Sequence, residues 1–137
     1  MEPAAIVAKM MDGDAFSQWL GINVVKIKAG FCILTLKVKP EMVNGFTIAH
    51  GGISYSLADS ALAFASNAYG EKCVSIETSI SHTRPVKIGD ELSAKCTELN
   101  RGKTIGIYQV TITNQNDKKV ALFKGSVHIS KECWQEK

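Results

Sequence analysis

Between residues 22 and 39, apolar and polar positions alternate on either side of Ala29-Gly30, the period that a strand with one buried face requires. In "FCILTLKVK", Cys32, Leu34, Leu36 and Val38 fall on one face, and Phe31, Ile33, Thr35 and Lys37 on the other. Gly30 reads as the turn of a hairpin, and Pro40 ends its second strand. Alternation returns in four later stretches, roughly 73–82, 91–100, 104–113 and 120–129. Arg84-Pro85, Gly89-Asp90, Arg101-Gly102 and residues 114–119 supply the turns between them. Two segments follow a different period. The first, from Pro3 to about Trp19, has helical spacing but is interrupted by Gly13, which fits one irregular helix or two short ones. The second, about 52–68, reads "GISYSLADSALAFASNA" and is apolar on nearly all sides, as in a helix buried all round.

The order is therefore helix, two strands, buried helix, four strands. An α+β arrangement satisfies it, with a long antiparallel sheet wrapped around one central apolar helix that covers one sheet face. Two such sheets joined edge to edge would hide an exposed strand edge, so a homodimer is expected. At 137 residues, with no internal repeat or linker, the chain reads as a single domain over 1–137.

Composition narrows the partners. The chain is 45% hydrophobic and 21% charged, and no apolar run is long enough to span a membrane. The N-terminal segment carries acids where a signal peptide would be basic, so a cytoplasmic location is expected. Cys32, Cys73, Cys96 and Cys133 form no CxxC pair, which argues against a zinc site and for reduced thiols, mostly small core residues. A net charge of +3 falls short of the basic stripe of a nucleic-acid binder but suits an anionic small molecule. Trp134 and the three residues after it read as a frayed end.

Asp59 is the outlier in the apolar helix. An unpartnered buried carboxylate is costly, and packing among Leu57, Ala58, Ala61 and Leu62 does not call for one. It is either a general base or nucleophile in a cleft, or an acid reaching the surface beside Ser56 and Ser60. Gly51-Gly52 opens the helix, where the first backbone N–H groups lack partners and glycine lets a substrate approach. A carbonyl oxygen placed there would be stabilised as it gains negative charge, as in an oxyanion hole. Gly52 and Asp59 share a face but lie about 10 Å apart along the axis. One subunit cannot easily aim both at one atom; a second copy could.

Other candidates carry a plain structural reading beside the functional one. His50 precedes the helix, where histidine is more often a cap or positioning group than a base. Asn44 could orient water or ligand, or simply form the Asn44-Gly45 turn. Ser75 is a polar position on a strand. Arg84, Lys87, Arg101 and Lys103 lie in two turns and could hold phosphates if those turns come together.

These motifs resemble the hotdog-fold acyl-CoA thioesterases, in particular the phenylacetic-acid-degradation branch. The resemblance covers nearly the whole chain and centres on "NGFTIAHGGISYSLAD", similar to the branch's N-G-x4-HGG-x6-D pattern without a gap. It implies a hotdog fold, dimers with a continuous sheet, and commonly a dimer of dimers. It also implies active sites at the dimer interface. By that resemblance Asp59 matches the catalytic carboxylate of one subunit, while Asn44, His50 and Gly51 match positions around the thioester on the other. The N–H of Gly51 or Gly52 would polarise the carbonyl, and Ser75 matches a strand position that assists in some relatives. The implied reaction is hydrolysis of an acyl-CoA, with phenylacetyl or hydroxylated aryl groups as candidate acyl chains. Coenzyme A is part of the substrate, its phosphates are met by the basic turns, and no metal or other cofactor is called for.

Two rivals remain at this level. A hotdog hydratase or dehydratase pairs an Asp with a His a few residues downstream; here the next histidine, His82, lies on another element. A non-catalytic acyl-CoA-binding hotdog protein is normally part of a regulator with a DNA-binding segment, and Asp59 together with the intact His50-Gly51-Gly52 favours an enzyme.

Overall fold

A computed structural model describes residues 1–135 of the protein. Two short helices come first, α1 (Pro3–Gly13) and α2 (Ala15–Leu20). They are separate because Asp14 leaves helical geometry (φ −96°, ψ 80°) and its carboxylate accepts the Ser17 N–H, capping α2. Gly21, at φ 74°, ends α2 in the left-handed region that glycine enters without strain. The hairpin β1 (Asn23–Lys28) and β2 (Phe31–Lys37) follows, then a 3-10 turn at Pro40–Met42 and the long helix α3 (Gly51–Asn67). Four strands complete the chain: β3 (Glu71–His82), β4 (Glu91–Arg101), β5 (Ile105–Thr113) and β6 (Lys119–Cys133).

The six strands form one antiparallel sheet in the order β1-β2-β4-β5-β6-β3. Leu34, Leu36, Leu92, Ala94, Val110, Ile112, Phe123 and Val127 alternate inward along the strands and are buried against α3. At Gly125 the helix comes so close that an added methyl carbon would stand 2.6 Å from Leu62 Cδ2. The small residue is therefore what lets sheet and helix meet.

The helix expected to be buried all round is so on three sides. Its fourth, at Gly52, Tyr55, Ser56, Asp59, Ser60 and Ala63, is only half-buried, because α1 and α2 cover it in part. The two ends of the sheet are open. β3 is long, pairs only with β6 among the described residues, and exposes Val74 (63%) and Ile76 (57%), which makes it an apolar edge strand.

The expectation of a frayed C-terminus is corrected at Trp134. Its indole N–H donates to Asn67 Oδ1 at 2.8 Å and its backbone N–H to the Gly70 carbonyl at 2.9 Å. Asn67 is itself buried and ties the end of α3 to Cys73. Gln135 lies just beyond, exposed, and Glu136 and Lys137 are outside the described residues. Cys32, Cys73 and Cys96 are buried free thiols, and Cys133 is exposed. Among the described residues no helix is long and apolar enough to cross a membrane.

Candidate active site

The loop before α3 is built around Asn44. Its side-chain oxygen accepts the N–H of Phe46 at 2.9 Å and of Ile48 at 3.4 Å, while its backbone N–H donates to the Ile48 carbonyl. This closed turn forces Thr47 to a positive φ of 64° and delivers His50 to the start of the helix. Asn44 is thus a turn-former and also borders the cavity that the loop encloses.

His50 caps α3. Its Nδ1 accepts the Gly52 N–H at 2.9 Å, so that nitrogen is unprotonated and the ring's proton sits on Nε2. This decides between the two glycines. The Gly52 N–H is consumed by the cap, and Gly52 is thereby corrected from oxyanion donor to capped backbone. Gly51 remains, as the first residue of the helix and on the wall of a cavity of about 350 Å³ shared with Asn44, Ser54, His82 and Arg84. A methyl carbon at Gly51 would come within 3.2 Å of His82 Nε2, so the glycine makes room for the imidazole. His82 itself was not selected from the sequence as a site residue. Strand alternation places it on β3, and only the sheet order brings the end of β3 to the helix N-terminus.

Asp59 lies eight residues on, about 12 Å along the axis. It opens onto a separate pocket of about 260 Å³ with Leu62, Cys73, Ser75 and Val127. Among the described residues no cationic side chain lies within 4.0 Å of it. Burial in this apolar wall raises its pKa above the usual 3.8, and the negative charge of Asp14 raises it further. A carboxylate held this way accepts a proton more readily than a solvated one, which is what a general base requires.

The structure therefore divides the expected residues into two groups. Asn44, His50 and Gly51 gather at the helix N-terminus, with Arg84 in the same wall; Asp59 and Ser75 gather two turns away. The basic residues divide as well. Arg84 and Lys87 border an adjoining polar cavity of about 440 Å³ with Asp90 and Asn116. The Arg101-Lys103 turn does not join them. Arg101 Nη1 donates to the Ser66 carbonyl at 3.2 Å and to Tyr108 Oη at 2.9 Å, and its guanidinium stacks 3.9 Å over the Tyr69 ring. With only 13% of its side chain exposed, Arg101 holds the far end of α3 rather than facing the pocket at Gly51. Lys103 is exposed beside it, equally remote.

The sequence model of the Thioesterase superfamily matches residues 46–121, from the loop before α3 into β6. The chain belongs to the thioesterase superfamily. It is 40% identical to the Escherichia coli acyl-coenzyme A thioesterase PaaI over 119 residues, 87% of this chain and 85% of that one. The solved structure of E. coli PaaI, a protein of the phenylacetic acid degradation operon, superposes with a TM-score of 0.93. It has 36% identity and covers 96% of this chain and 95% of its own. A Streptococcus mutans protein solved bound to acetyl CoA matches with a TM-score of 0.77 and 28% identity, over 80% of this chain and 88% of that one. The wrapped sheet and central helix are thus a hotdog fold, and the chain is a thioester hydrolase of that family.

Proposed function

We propose that this thioesterase hydrolyses acyl-CoA thioesters at sites shared between two copies of the chain. The observation that carries the reading is the separation along α3: a base-like Asp59 and an uncapped Gly51 N–H lie on one helix, too far apart to meet at one carbonyl. An antiparallel pairing of two β3 edges would bury Val74 and Ile76 and bring each copy's Asp59 toward the other's Gly51.

In such a site Asp59 removes a proton from water as the water oxygen attacks the thioester carbon. The carbonyl oxygen takes up the electron pair and is held by the Gly51 N–H and the positive end of α3. When the tetrahedral intermediate collapses, the carbon–sulfur bond breaks and the electron pair leaves with the CoA sulfur as thiolate. The proton held by Asp59 passes to that thiolate, which restores the carboxylate and leaves the free acid and CoA as products. Asn44 positions substrate at the loop, and His50 shapes the site by capping rather than taking the proton. Ser75 lies beside Asp59, where a hydroxyl can help hold the attacking water. Arg84 and Lys87 receive CoA phosphates. The raised proton affinity of Asp59 favours the base role over direct nucleophilic attack, and a single turnover in 18O water separates them, since only a nucleophile takes label into its own carboxyl.

The acyl-CoA chemistry of the relatives supports this substrate class, and the E. coli neighbour's operon favours aryl acyl groups such as phenylacetyl. A cytoplasmic dimer, doubled into a tetramer, belongs to the same reading. The test is thiol release from phenylacetyl-, benzoyl-, hexanoyl- and palmitoyl-CoA by wild-type and Asp59→Asn proteins. Turnover of at least one by the wild type and near-complete loss in the variant are expected. Full activity in Asp59→Asn removes the role of Asp59.

A further inference from the structure

Ser17 is a hydroxyl in an unusual place. It belongs to α2, is 1% exposed, and lies against α3 at the residue next to Asp59. Its Oγ stands 2.6 Å from Asp14 Oδ2 and 2.8 Å from Ser60 Oγ. The direction of this chain follows from chemistry. An ionised carboxylate only accepts, so Ser17 donates to Asp14, and Ser60 must then donate to Ser17. Asp14 also accepts the Ser17 N–H at 2.9 Å, and its backbone is held by bonds from its N–H to Met11 and from Gln18 to its carbonyl. Gln18 in turn binds the carbonyls of Met11 and Asp12, which fixes α2 against the end of α1. Asp14 is consequently a fixed charge, half-buried.

We propose that Asp14 is a positioning residue for the reaction: the Asp14–Ser17–Ser60 chain fixes its negative charge against α3 at Ser60, the neighbour of Asp59, and tunes that carboxylate as a base. The inference rests on the reading of Asp59 as the base. The surroundings of Asp59 leave this charge little competition. Helix α3 carries no other charged residue, α2 has no ionisable side chain, and of the charges on α1, Lys9 and Asp12, both are exposed and Lys9 Nζ is turned to the Trp134 carbonyl. Strand β3 presents the neutral thiol of Cys73 and the hydroxyl of Ser75, and β6 presents Val127. In the shared site the second copy adds His50 and the positive end of its own α3, which act in the opposite sense. The two helices before the sheet thus do more than cover α3. They carry an acid whose place relative to Asp59 is set by hydroxyls from both α2 and α3.

Asp14→Asn tests this with little risk to the fold, since the carboxamide oxygen can still cap Ser17. Two measurements are made on wild-type, Asp14→Asn and Ser17→Ala proteins. One is the 13C NMR titration of the Asp59 carboxyl, assigned through Asp59→Asn. The other is the pH profile of kcat/KM with whichever of the four acyl-CoAs is turned over fastest. The Asp59 titration and the acid limb of kcat/KM are expected to move together to lower pH in Asp14→Asn. Ser17→Ala, which removes the hydroxyl bond but keeps the N–H cap on Asp14, is expected to move both in the same direction by less. An Asp59 titration unchanged by Asp14→Asn overturns the proposal and leaves the role of Asp59 standing. A titration that moves while the acid limb stays put overturns both the tuning role and Asp59 as the base. A protein that releases thiol from none of the four substrates overturns both as well.

Discussion

Asp59, the base of the proposed mechanism, is buried at a cost to stability, and the sign of that cost can be worked out. Burial, then the charge of Asp14, raises its folded pKa above the usual 3.8. Below pH 3.8 the group is protonated in folded and unfolded chains alike, and its contribution to stability is fully present. That contribution is lost as the pH rises through the folded value, because the folded state alone must then hold an unfavourable charge. Asp59→Asn is therefore expected to raise the Tm at pH 7, an advantage that shrinks as the pH falls toward 3.8. A pH-independent difference in Tm between the two proteins contradicts this. The two arginines make a second residue-level contrast. In the proposed site Arg84→Ala removes one charge-assisted contact to substrate phosphate, and KM is expected to rise about tenfold with Tm unchanged. Arg101→Ala takes a charged donor from the Ser66 carbonyl and from Tyr108 Oη, which keeps its bond to Glu98, and is expected to cost about 2 kcal/mol of stability, read in urea, with KM unmoved.

At the scale of elements, the contact between α3 and β6 is set by Gly125. A methyl group there would stand 2.6 Å from Leu62 Cδ2 and 3.0 Å from Phe123 Cε1, and both side chains are 1% exposed with no room to yield. Gly125→Ala is expected to cost about 1–3 kcal/mol through overpacking, seen as a lower urea midpoint at constant m. The elements themselves were legible in the chain because their signals are local. Alternation in "FCILTLKVK" does place Cys32, Leu34, Leu36 and Val38 inward, and the apolar run after His50-Gly51-Gly52 is the central helix. What escaped depends on partners far apart in sequence. The extension of β6 to Cys133 rests on its pairing with Glu71, the anchoring of Trp134 on Asn67, and the fate of Arg101 on Ser66 and Tyr69. The Ser17–Ser60 bond and the contact of His82 with Gly51 are of the same kind: no periodicity marks them. Which glycine keeps a free N–H was likewise invisible, because it turns on one side-chain rotamer of His50.

At the scale of the whole molecule, the proposed mechanism gives each chain two half-sites and requires a second copy to join them. This is testable by mixing two defective chains. Asp59→Asn removes the base and leaves the N-terminus of α3 intact. Gly51→Pro removes the N–H donor and leaves Asp59 intact. The fold tolerates it, because Gly51 is the first helical residue, where proline is accommodated, and His50 before it is already extended (φ −59°, ψ 139°). The ring would press on His82 Nε2, but that is the exposed tip of a side chain with room to turn. Each variant alone is expected to be nearly inactive. Unfolded together in equal amounts and refolded, half of the dimers combine one chain of each kind. A mixed dimer has one site with both defects and one with neither, so about 25% of wild-type turnover is expected to return. If base and donor act within a single chain, every site in the mixture keeps a defect and no activity returns. Recovery also ties the exposed Val74 and Ile76 edge to function, since a lysine at either position should block both dimer formation and the regained turnover.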